Sequence, residues 1–96
     1  MAESIKPDLM RETETLQVWE VVIQPGESFS GQTHKVGYVV IVMLGDLIRV
    51  EAPGGESHEM TVCPGEVLVG GPSPRHKVTN IGSAPYREIV VELTQH

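Results

Sequence analysis

Turn signals recur along most of this chain, and the stretches between them are short and rich in β-branched residues. Pro25-Gly26, Gly45-Asp46, Pro53-Gly54-Gly55, Pro64-Gly65, Gly70-Gly71-Pro72-Ser73-Pro74 and Asn80-Ile81-Gly82 punctuate the sequence. The segments they leave are Leu16 to Ile23, Tyr38 to Leu44, Leu47 to Val50, His58 to Val62, Val67 to Val69, His76 to Thr79 and Arg87 to Leu93. None carries a convincing 3.6-residue apolar period. Many short strands separated by tight turns predict an all-β sandwich or barrel. The 96 residues suffice for one domain with one modest core. The reading is residues 15–96 as that domain, with residues 1–14 as an N-terminal arm or an edge strand.

Three segments are apolar on both faces: Val18 to Ile23, Tyr38 to Leu44, and Ile89 to Val91. A strand with one wet face should alternate. In a chain this small the second apolar face must meet another sheet, a terminal segment or a second subunit. The expectation is a homodimer that buries a strand face, with a monomer of unusually apolar strands as the alternative.

Charge and cysteine content narrow the function classes. The formal net charge is -6, and the seven basic residues are scattered rather than gathered into a stripe. A nucleic-acid partner is therefore not expected, because phosphate binding needs clustered cations. Every hydrophobic stretch is interrupted by acids or turns before it could cross a bilayer, and Met1 to Met10 holds no signal-like apolar run. Cys63 is the sole cysteine and cannot form an intrachain disulfide. A cytoplasmic setting with no membrane partner is the plain expectation.

Two histidines carry the functional signal. His34 lies just ahead of the longest apolar segment, and His76 opens another strand after a Gly/Pro-rich run. On an extended chain Gln32 and His34 point the same way, and Tyr38 rejoins that face by even spacing. His76, Val78 and Asn80 share a face by the same rule, with Arg75 and Lys77 on the other. If the chain closes into a barrel, both imidazoles can point into one cavity. Imidazole suits zinc, copper, iron and nickel, whereas an amide oxygen is a weaker donor. His34, His76 and Gln32 are thus candidate metal ligands, and Tyr38 is a candidate pocket residue beside them. Taken singly, each of these side chains is also what a strand or turn carries without any site. His58, after a glycine turn, is read as solvated.

On these residues the chain resembles the cupin family, small β-barrels built on a jelly-roll plan, over roughly Leu16 to Leu93. The first family motif joins a Pro-Gly turn to a His-x-His pair, a glutamate and a later glycine. Pro25-Gly26, His34 and Gly45 match it, while Gln32 stands at the first histidine and Tyr38 at the glutamate. The second motif is matched by Gly65, His76 and Asn80, with Gly71-Pro72-Ser73 in place of its turn. The resemblance implies a small cupin-type jelly-roll barrel. It also implies a divalent transition metal (Fe, Zn, Ni or Mn) and metal-dependent oxygenation or isomerisation of a small polar metabolite. Loss of an imidazole at Gln32 and of a carboxylate at Tyr38 weakens that ligand set. The alternative is a metal-free barrel that binds or senses a small molecule through the same four side chains.

Overall fold

A computed structural model describes residues 7–31, 36–71 and 76–93. Nine strands are assigned among them: β1 (Asp8–Glu12), β2 (Leu16–Ile23), β3 (Ser28–Ser30), β4 (Tyr38–Leu44), β5 (Leu47–Glu51), β6 (Ser57–Thr61), β7 (Val67–Gly70), β8 (Lys77–Asn80) and β9 (Tyr86–Leu93). The described residues contain no helix, and so none long and apolar enough to cross a membrane. The strands form two antiparallel sheets: one ordered β1-β2-β9-β4-β7, the other β3-β8-β5-β6. The sequence reading misses β3, whose Ser28 and Ser30 flank a single aromatic and give no apolar run. Segment 8–12 forms the edge strand of the larger sheet, with a register shift between Leu9 and Arg11.

The core lies between the sheets. Val21, Ile23, Val42, Ile48, Val62, Tyr86 and Val90 are buried, with Trp19, Phe29, Val40, Val50, Met60 and Val78 packed against them. Register explains which residues turn inward. Across the larger sheet, Trp19, Val90, Val40 and Leu68 lie in one row, and Val21, Glu88 and Val42 in the next. Residues one position along point outward and form rows of their own: Val18, Val91, Val39 and Val69, then Glu20, Ile89, Ile41 and Val67. The doubly apolar segments thus have one face in the core and one on the outside of the larger sheet. Val67 and Val69 on β7 are 55% and 77% exposed.

One end of the barrel is closed by a polar knot. Asn80, only 1% exposed, donates through Nδ2 to the carbonyls of Ile23 and Ala84, both at 2.8 Å, and its Oδ1 accepts from Gly82 N at 2.9 Å. Asp46 accepts from Leu47 N at 2.7 Å and from both the amide and hydroxyl of Ser83 at 3.3 Å. Between these the chain must pass against the Tyr86 ring. Gly45 allows it: its φ of 144° suits only glycine, and a Cβ there would lie 2.7 Å from the ring.

Candidate functional site

A chamber of about 240 Å³ occupies the space between the sheets, and Asn80 does not line it. The larger sheet contributes Trp19, Val21, Tyr38, Val40, Leu68, Tyr86, Glu88, Val90 and Glu92, and the smaller sheet contributes Phe29, Ile48, Val50, Met60 and Val78. Pro7, Gly31 and His76 complete the lining. The two walls differ in kind. The smaller sheet offers hydrocarbon and one phenyl ring, whereas the larger carries both carboxylates and both phenols.

Tyr38 and His76, singled out from the sequence, both line this chamber. Gln32 and His34 lie outside the described residues. Tyr38 sits between Glu92 of β9 and Gly70 of β7 in the cross-strand register. Gly70 makes room for it, since a Cβ at that position would overlap the Tyr38 ring. His76 is half-buried, and its carbonyl accepts from Gly31 N at 2.8 Å, which ties the chain leaving β3 to the start of β8. Val78 follows His76 into the chamber, as the even spacing predicts. Asn80 has the same parity, but its amide is spent on backbone at the closed end. It holds the barrel shut and is not a donor to the chamber. His58 is exposed on β6.

Sequence reasoning missed the acids. Glu88 and Glu92 lie on β9, with Tyr86 before them and Val90 between. Even spacing turns all four inward, while Arg87, Ile89 and Val91 face out. This inverts the usual rule that the apolar face of a strand is the core face. The readable signal is an acid at every fourth position of a strand whose other parity carries Ile89 and Val91. Tyr86, 2% exposed, donates its hydroxyl proton to Glu88 Oε1 at 2.5 Å. Burial raises the Tyr86 phenol far above its ordinary range, and the charges of Glu88 and Glu66 and the bond to Glu88 add to the effect. Tyr86 is therefore a neutral donor, and the charge of the pair stays on the carboxylate. On the outer face Arg87 donates to Glu20, which removes this cation from the chamber.

Among the described residues no group of three or more histidine, cysteine, aspartate or glutamate side chains is placed to hold a metal ion. The donors that the described lining does offer are the His76 imidazole, the Tyr38 phenol and the two carboxylates. The set of His34, His76 and Gln32 draws two of its members from outside the described residues.

No protein-family model matches the chain, and no curated protein matches it in sequence. Solved structures do. A cupin domain from Bordetella pertussis Tohama I superposes with a TM-score of 0.86 at 21% identity, covering 99% of this chain and 98% of the other. An RmlC-like cupin family protein with a double-stranded β-helix fold from Methanocaldococcus jannaschii gives a TM-score of 0.72 at 17% identity, over 96% and 82%. The Cupin_2 domain of an XRE family transcriptional regulator from Enterobacter cloacae gives 0.70 at 16% identity, over 97% of each chain. Identities this low carry the fold and not an activity. The chain is an all-β, small domain with the cupin, RmlC-like double-stranded β-helix fold.

Proposed function

We propose that the chain is a small-molecule binding or sensing barrel whose ligand occupies the chamber between the sheets. The observation that carries this reading is the chamber itself: a partly open space of about 240 Å³ between the sheets, with an apolar lining and a few convergent polar groups. Ligand sites in β-barrels have this character, with apolar walls supplying affinity and the polar groups setting orientation. Among described side chains, His76, Tyr38, Glu88 and Glu92 are the orienting groups, and Tyr86 fixes Glu88. The likeness to a cupin domain carried by a transcriptional regulator fits a sensing role.

A metal-centred reading is the second one, and one contact favours it. The bond from Gly31 N to the His76 carbonyl joins His76 to the residue that precedes Gln32 in the sequence. In that reading His34, His76 and Gln32 hold a divalent metal with Tyr38 nearby. The ion would supply Lewis-acid polarisation of a ligand oxygen.

The test is elemental analysis of protein purified without a chelating tag, followed by ligand titrations before and after chelator treatment. Small-molecule binding that survives the chelator is expected. Near one transition metal per chain, with binding abolished by its removal, would replace the first reading by the second. His34→Ala and His76→Ala would then both lose the metal.

We also propose that two copies meet through the outer face of the larger sheet. The valine and isoleucine rows there, with Val67 and Val69 exposed at their β7 end, form the apolar face that the sequence leads one to expect at a subunit contact.

A further inference from the structure

The two sheets end in edge strands, β1 and β7 on the larger, β3 and β6 on the smaller. An edge strand offers a row of backbone groups to another chain, and proteins guard it with charge, a bulge or shortness. Three of these edges are guarded. In β1 the register shifts between Leu9 and Arg11, and antiparallel self-pairing about Met10 would set Asp8 against Glu12 of a second copy. In β6 the same pairing would set Glu59, its middle residue, against itself. β3 is only 3 residues long. β7 carries no such guard: it reads Val67-Leu68-Val69-Gly70, pairs with β4 without a shift, and exposes both valines.

The hydrogen-bond pattern shows which groups β7 leaves over. Val42 turns its backbone toward this side of β4, donating to Glu66 O at 2.9 Å and accepting from Gly65 N at 2.7 Å. The direction alternates along an antiparallel pair. Tyr38 and Val40 therefore face Gly70 and Leu68, and Gly37 faces β9, where its carbonyl accepts from Leu93 N at 3.0 Å. On β7 the backbone groups of Leu68 and Gly70 are turned to β4. Those of Val67 and Val69 point away from the sheet, and among the described residues they meet no partner.

We propose that β7 pairs with β7 of a second copy, antiparallel and centred on Leu68, joining two five-stranded sheets into one. The two-fold sets Val67 opposite Val69 of the second copy, and Val69 opposite Val67. These are the residues whose N–H and C=O point outward, so each pair exchanges both bonds, and Leu68 meets Leu68 at the non-hydrogen-bonded position. No like charges face one another across the seam. On the outer face the row Val18, Val91, Val39 and Val69 runs on into Val67, Ile41 and Ile89 of the second copy. This rests on the proposal that copies meet at the outer face of the larger sheet. It fixes the place and the manner: the β7 end, through backbone.

Charges at the two valines test the register. Val67→Lys and Val69→Glu each put a charge against a valine and should weaken self-association by about tenfold in sedimentation equilibrium. The double variant Val67→Lys/Val69→Glu sets lysine opposite glutamate in both pairs and should regain the affinity of the unaltered protein. Val67→Lys/Val69→Lys should stay weak. Unchanged emission from Trp19, the sole tryptophan, shows that each variant is folded. Amide exchange on the unaltered protein reads the backbone bonds directly. The Val67 and Val69 amides should be protected at high concentration and exchange freely on dilution, with Leu68 protected in both. Failure of the opposite-charge pair to restore association, or free exchange at Val67 and Val69 in the associated protein, would overturn the edge pairing and leave a contact through the face. A chain that stays monomeric at high concentration would remove both.

Discussion

Tyr86 joins the closed end of the barrel to the chamber. Its ring lies against Gly45 at the base, and its hydroxyl reaches Glu88 in the chamber wall. Because burial and two nearby carboxylates hold the phenol protonated in the folded chain, stability depends on pH in a definite sense. Below about pH 10, the ordinary tyrosine range, the phenol is neutral in both states and the stability is fully present. As pH rises beyond that, the unfolded chain releases this proton and the folded chain does not, so stability falls. Denaturant melts across the alkaline range should show this slope, and Tyr86→Phe should flatten it. A tyrosinate signal from Tyr86 that appears well before unfolding would contradict the assignment. At this scale the sequence is only partly legible. Tyr38 and His76 could be picked by spacing, but Glu88 could not. An isolated acid in a strand reads as solvent-facing until its register against Val21 and Val42 is known.

Among the elements, β8 and β9 show what patterning reveals and what it hides. In β8, parity alone places His76 and Val78 on the chamber side. The sequence did not show that Asn80, on that same parity, serves the loop that leads to β9. Its three hydrogen bonds join the end of β2, β8 and residues 82–84. Asn80→Ala leaves two carbonyls and one amide without this partner, and each buried polar group so stranded costs about 1–3 kcal/mol. A destabilisation of about 3 kcal/mol by chemical denaturation is expected. A loss below about 1 kcal/mol would mean that the knot is not what closes this end. In β9 the apolar parity is the outer one and the acidic parity the inner one, so any rule that sends the apolar face inward assigns the strand backwards. The turns between strands were readable because Pro-Gly and Gly-Asp pairs have few other uses. The three-residue β3 was not, because its place comes from pairing with β8 and not from its own composition.

For the whole molecule, the outer face of the larger sheet decides how copies meet. Val69 is 77% exposed, so Val69→Glu should leave the folded monomer intact. In a two-fold contact that covers this position it puts a charge against the partner's apolar face, which costs desolvation with no counter-charge. Light scattering should give about twice the chain mass for the unaltered protein and about one chain mass for the variant. An unaltered protein that is monomeric at high concentration would withdraw the proposed contact. The sequence signalled this face through strands apolar on both sides. It could not say which side was outer, because that depends on how the two sheets close over the chamber.

The order of the larger sheet has a consequence for synthesis. Its centre is β9, held between β2 and β4, and β9 is the last of the nine strands to leave the ribosome. Until it emerges, β2 has only β1 and β4 only β7 as a partner, and the segments Leu16–Ile23 and Tyr38–Leu44 each keep one edge open. Completion of the larger sheet therefore waits for β9, with the pairing of distant segments as its slow step. A nascent chain stalled before Tyr86 would expose two aggregation-prone edges that the finished protein never shows.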